Sequence, residues 1–360
     1  MSAFVYRYVM RACVILAVST NGALAQTPEL KSLFTEYTRA QIVDWIDAKT
    51  FAVGRWDGSL EVFRTPETGE STPLLLQSIV TSSGGGIEML SALDDNTILY
   101  ADREDQIAVR ARSASGEFGA SQPFTYDASY GVANSVAHSQ VSGSDVVVTG
   151  HANGFALVWQ RKGASLALLR AVDLRSLQPI QSPYPLKNIR GLAFWKGAIV
   201  LSGSEDGDIA AFNVETGNVL FHERYSPSAE RGINNISVLG DKLLVVNCSV
   251  GPQDRNIWLY EIGEDGVTLF SSLNLVRDTT RPQVFNFDGD LFQTNGIVRF
   301  AASTEEGLLW LGSIQNNALV VEGVGKIADS GGASLDLNAE GIIAAAAHDV
   351  HLFSTAATGR

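Results

Sequence analysis

The feature that most constrains this chain is an internal repeat, because self-similarity at a fixed period restricts the fold before any single segment is considered. Residues 199–212 form its plainest copy: an aliphatic strand, the turn Asp206-Gly207, and a second strand whose apolar residues alternate. Asp-Gly between two such strands is a strong hairpin signal, since both turn residues must tolerate unusual backbone angles. The same frame recurs at residues 51–63 with Asp57-Gly58 and at 146–159 with Asn153-Gly154. Weaker copies lie at residues 98–110, 243–260, 297–312 and 342–353.

The turn position is held in order by Asp57, Glu104, Asn153, Asp206, Asp254, Glu306 and Ala347, spaced by 47, 49, 53, 48, 52 and 41 residues. Three residues on stand Leu60, Ile107, Ala156, Ile209, Ile257, Leu309 and Val350. Five residues on stand Val62, Val109, Val158, Ala211, Leu259, Leu311 and Leu352. All are apolar. A frame of two strands leaves room in this period for two more, and four strands per repeat make a propeller blade. The expectation is therefore an all-β, seven-bladed β-propeller of four-stranded antiparallel blades. The blades begin near residues 40, 86, 132, 188, 232, 283 and 332. The last repeat stops without an outer strand, and residues 29–37 precede the first blade without one to join, so the N-terminal strand is expected to complete the last blade and close the ring.

Residues 1–25 read as a signal peptide. Arg7 and Arg11 precede the apolar run from Ala12 to Val18, and Ala23-Leu24-Ala25 is a small-x-small cleavage pattern. The mature chain, residues 26–360, is then one domain in the periplasm or outside the cell, and it keeps the single cysteine Cys248. A core of this size needs no disulfide.

With 26 basic and 39 acidic residues, the net charge of −13 makes nucleic acid and anionic membranes poor partners. No membrane insertion is expected, and the chain reads as a monomer. Haem and pyrroloquinoline quinone are not expected, because the haem motif is absent and the tryptophans do not recur blade by blade. Nor does a serine-hydrolase elbow, a phosphate-binding loop or a zinc motif stand out. His348 and His351 read as surface residues, and residues 286–290, Asn-Phe-Asp-Gly-Asp, as a solvated turn.

On the repeat frame, the chain resembles the WD40-like and quinoprotein-like propellers of exported bacterial type. Their Gly-His and Trp-Asp signature pairs are missing from the frame: Gly150-His151 and Trp56-Asp57 stand elsewhere in it. The resemblance implies a binding scaffold acting through the loop-rich face around a central channel.

Arg39, Arg190, Arg231 and Arg281 each fall near the start of an inner strand, and Gln41, Glu88, Asn134 and Asn234 join them. That pattern points to a mouth that takes an anionic small ligand or an envelope protein or peptide. The alternative is that these arginines pair with neighbouring acids such as Asp44, Glu230 and Asp278. The long connections on the same face carry Tyr126, Tyr130, Tyr184 and Tyr225 as contact candidates. Two other functions compete with the scaffold. One is a channel-site hydrolase such as a lactonase, with Glu88 as its acid, and the other is carbohydrate binding by the tyrosines.

Overall fold

The computed structural model describes residues 28–67, 72–81, 85–103, 107–175, 187–225, 232–247, 255–281, 284–329 and 331–358. Residues 1–25, with the expected signal peptide, and Cys248, Tyr184 and Arg231 lie outside them. Among the described residues the chain is all-β, and its helical segments are two short 3-10 turns, Ala128–Tyr130 and Thr355–Thr358. Among the described residues no helix is long and apolar enough to cross a membrane.

The strands form four four-stranded sheets, one five-stranded sheet and one six-stranded sheet. Within the repeats, consecutive strands pair antiparallel, as in Ile189–Trp195, Ile199–Ser204, Asp208–Asn213 and Val219–Arg224. The six-stranded sheet joins the two ends of the chain. Its strand Phe34–Trp45 bends at Arg39, where φ is 57°, so residues 34–37 pair with the last strand, Ile342–Ser354, and residues 40–45 pair with Thr50–Arg55. Ile342–Ser354 folds back on itself around His348, because the Thr355 amide donates to the Gly341 carbonyl at 2.9 Å. Equivalent closures join Thr65 to Lys49, Arg112 to Asn96 and Val214 to Ala198.

Residues 29–37 do not form one strand, in contrast to the expectation. Glu29–Leu30 lies parallel against Ala318–Lys326, in the preceding sheet, and only residues 34–37 join the last one. The reason is local. Gly323 and Gly325 leave a hollow in which Leu30 is buried, and a Cβ at Gly323 would stand 2.7 Å from the leucine Cδ2.

The fourteen repeat positions explain the packing. None is more than 2% exposed, and the seven at the first position, from Leu60 to Val350, are all at 0%. They divide among seven core clusters, each packed between one repeat and the next. The last unites Ala344, Ala346, Val350 and Leu352 with Ala40, Val43, Phe51 and Phe63. The first strands follow the same order. Residues 40–45 contact Ile87–Asp94, and contacts continue through Ala133–Val141, Ile189–Trp195, Ile233–Leu239, Asn286–Thr294 and Ser334–Leu337, which in turn lies against Phe34–Trp45. These are the inner strands.

One buried polar chain fixes the third repeat. Trp159 Nε1 donates to Thr149 Oγ1 at 3.0 Å, Thr149 meets His151 Nε2 at 2.9 Å, and His151 Nδ1 reaches the Gly131 carbonyl at 2.8 Å. Every member is satisfied when His151 is neutral with its proton on Nδ1. Burial holds the His151 pKa down at about 4. Replacing His151 by leucine leaves the Thr149 hydroxyl proton without an acceptor and the Gly131 carbonyl without the imidazole donor, so a loss of roughly 2–4 kcal/mol is expected in urea denaturation at neutral pH. Because the folded pKa is depressed, the stability that His151 contributes is lost as pH falls from about 6.5 towards 4, so the gap between wild type and variant should narrow over that interval.

Candidate functional site

The seven inner strands surround a cavity of about 660 Å³, and all seven contribute to its lining. In six of them the pairing register slips at the second residue of the strand or its equivalent, between Ala40 and Ile42, Ile87 and Met89, Ala133 and Ser135, Ile189 and Gly191, Ile233 and Asn235, and Asn286 and Asp288. A bulge leaves one residue out of the ladder and re-aims its side chain. The bulged residues are Gln41, Glu88, Asn134, Arg190, Asn234 and Phe287, and every one lines the cavity. Five of the six are candidates expected from the sequence.

The other expected residues part from this group. Arg39 stands in a neighbouring pocket. Arg281 does not line the cavity and pairs with Glu305 at 3.7 Å. Tyr225 is a core residue, 4% exposed, whose hydroxyl is bound by Asn247 and whose ring meets Trp258 edge-on. Tyr126 and Tyr130 pack around the buried His151, the first at 4.7 Å, so their rings cover the repeat instead of standing free on a loop. His348 is exposed, while His351 is half-buried against Thr35 Oγ1 at 3.1 Å.

The mouth charges are arranged in pairs. Arg190 donates to Glu205 at 2.7 Å, and Arg103 binds Glu88 and lies over the Trp56 ring at 4.8 Å. The partner of Arg190 is thus Glu205, and none of the acids expected from sequence neighbourhood. Trp56 is 50% exposed and Phe287 42%. Sequence reasoning missed Trp56, Arg103 and Glu205, although all three occupy one column of the repeat, the residue before the turn. Reading that column beside the bulge column would have found the two ion pairs, because the hairpin brings both columns to one end of the sheet.

Below the mouth lies an acidic tier that the sequence reading also missed. Residues 286–290 are not a turn; they open the strand Asn286–Thr294, and its period of two turns Asp288 and Asp290 to the cavity. Asp288 accepts from Asn235 and from the amides of Gly289 and Leu335, both at 2.8 Å, and Asp290 accepts from Ser237. Asp336 accepts from the Trp45 amide at 2.6 Å and the Leu337 amide at 2.8 Å, and it shares a hydrogen bond with Asp44. These carboxyls staple inner strands to one another where no backbone ladder exists. Burial raises all four pKa values, Asp288 to about 6 and Asp336 to about 7, and Asp44 is raised further by the neighbouring Asp336. Among the described residues no group of three or more His, Cys, Asp or Glu side chains is placed to hold a metal ion.

No protein-family model and no curated protein matches this sequence.

Proposed function

We propose that the chain is an exported, seven-bladed β-propeller, similar to the WD40-like scaffolds, whose central mouth docks a segment of an envelope protein or peptide. Seven core clusters in cyclic order and the contact of the last inner strand with the first support the propeller. The leader pattern in residues 1–25 supports export to the periplasm or beyond. The observation that carries the docking reading is the ring of bulged residues, Gln41, Glu88, Asn134, Arg190, Asn234 and Phe287, turned to one cavity beside the half-exposed Trp56. Tryptophan and arginine with a polar surround are the anchors that dominate protein interfaces.

Photo-crosslinking from the mouth tests it. A crosslinking residue at Asn134 should yield a discrete adduct in envelope extract, one at the exposed outer-strand Leu168 should not, and Trp56→Ala should cut the Asn134 adduct about tenfold by removing an anchor of the hot-spot kind. Equal adducts from both positions, or none from Asn134, would reject the docking reading.

A second reading rests on the Asp44 and Asp336 pair, since carboxyls sharing a proton in a cavity can serve acid and base chemistry. It predicts turnover in a panel of lactones and esters that Asp336→Asn abolishes. Against it, both Asp336 oxygens already accept strand amides.

A further inference from the structure

Beside the central mouth lies a second pocket of about 570 Å³, formed where the two ends of the chain meet. Its floor is Ala40, Ala346 and Ala347, all buried, and its walls are Trp56 and Phe287. The Phe287 ring lies so close to Gly332 that a Cβ there would stand 1.6 Å from it, so the ring's position depends on that glycine. Arg39 and His348 stand at the rim, both exposed, and no carboxylate lines the pocket. Two acids near it are engaged elsewhere: Asp57 with Arg55 and Ser59, and Glu88 with Arg103. Arg39 makes no ion pair among the described residues.

The backbone marks the same place. Among the described residues seven that are not glycine have positive φ; Ser142, Lys196, Asn295, Asn316 and Asn317 lie in hairpin turns, where that conformation is ordinary. The two that lie within strands are Arg39 at 57° and His348 at 78°, both lining this pocket on neighbouring strands, with His348 paired to Ala40. Arginine in the left-handed region costs free energy that glycine would not, and such strain gathers where a side chain is needed for binding.

We infer that this pocket binds a small carboxylic acid with an aromatic or aliphatic body, its carboxylate held by the Arg39 guanidinium and its body between Trp56 and Phe287. The volume falls in the range of small-ligand sites, and a guanidinium suits a carboxylate because it offers two parallel donors. The site does not depend on the docking reading of the central mouth, since its cation and its floor are not part of that ring.

Calorimetric titration of the full chain with 4-phenylbutyrate and with its neutral amide, 4-phenylbutyramide, tests the assignment. The acid should bind about tenfold more tightly than the amide, as a charge-assisted pair requires. Arg39→Gly removes the charge and the strain together. It should erase the advantage of the acid while leaving the melting temperature unchanged or higher, so a folding failure cannot mimic the result. Trp56→Ala should weaken acid and amide alike. Equal affinity for acid and amide, an advantage that survives Arg39→Gly, or no binding of either at millimolar concentration would overturn the inference. A peptide ending in a free phenylalanine carboxylate that binds more tightly than 4-phenylbutyrate would overturn the assignment to a small ligand.

Discussion

Gly191→Ala should cost at least about 3 kcal/mol, the upper range for overpacking, and the urea midpoint should fall accordingly. Gly191 lies in the inner strand Ile189–Trp195, and an added Cβ would stand 2.6 Å from the Ile236 backbone nitrogen and 3.1 Å from the Asn235 carbonyl carbon. Those atoms belong to the next inner strand, which is held by its own ladder and cannot yield as a rotamer can. Gly203→Ala is the informative neighbour. There the Cβ would meet Ile233 Cγ2 at 2.6 Å and Ile236 Cγ2 at 2.9 Å, side-chain atoms that can shift, so roughly 1–3 kcal/mol is expected. At Gly119 the nearest atom is 3.6 Å away, and Gly119→Ala should stay within about 0.5 kcal/mol. Any other ranking of the three midpoints would show that inner-strand spacing is not what limits the sheets.

The second large effect concerns pH. Burial, chiefly, raises the Asp336 pKa to about 7, and Asp44 is raised in the same direction. The folded state therefore keeps a proton that the unfolded chain, with ordinary carboxyls, releases. Stability from this pair is fully present below the unfolded value near 3.8 and is lost as pH rises through about 7. His151 acts with the opposite sign but only below about 6.5, so the interval from about pH 6.5 to 8.5 isolates the carboxyls. Over that interval the wild type should lose roughly 1–3 kcal/mol, at about 1.4 kcal/mol per pH unit for each proton. Asp336→Asn, which cannot release the proton, should give a flatter profile. A wild-type stability that climbs with pH, or an unchanged slope in Asp336→Asn, would remove the shared proton from the account.

Both predictions concern contacts between inner strands, and there the sequence was least informative. The bulged residues Gln41, Glu88, Asn134, Arg190 and Asn234 were legible because each occupies the same place in its repeat, one step into an inner strand. Phe287 shares that place but was hidden by its neighbours, since Asp and Gly in residues 286–290 have the composition of a turn while the chain there is a strand. Tyr225 had the composition of a loop contact and turned out to be core, because its hydroxyl accepts from Asn247 on a strand of the next sheet.

What the sequence determined by itself was the repeat. Alternation with a period of two is a property of a single strand, and it marked fourteen apolar positions that burial bears out, none more than 2% exposed. What only the tertiary structure decided was how the repeats face one another. The acceptance of the Trp45 amide by Asp336 spans 291 residues of chain, as does the bond from Val43 to Ser334. The pocket of Arg39, Trp56, Phe287 and His348 likewise draws its walls from both ends of the sequence. No local pattern encodes such pairs: they exist because packing apolar faces brings polar residues together at the inner seams, and each must find its partner on whatever strand arrives beside it.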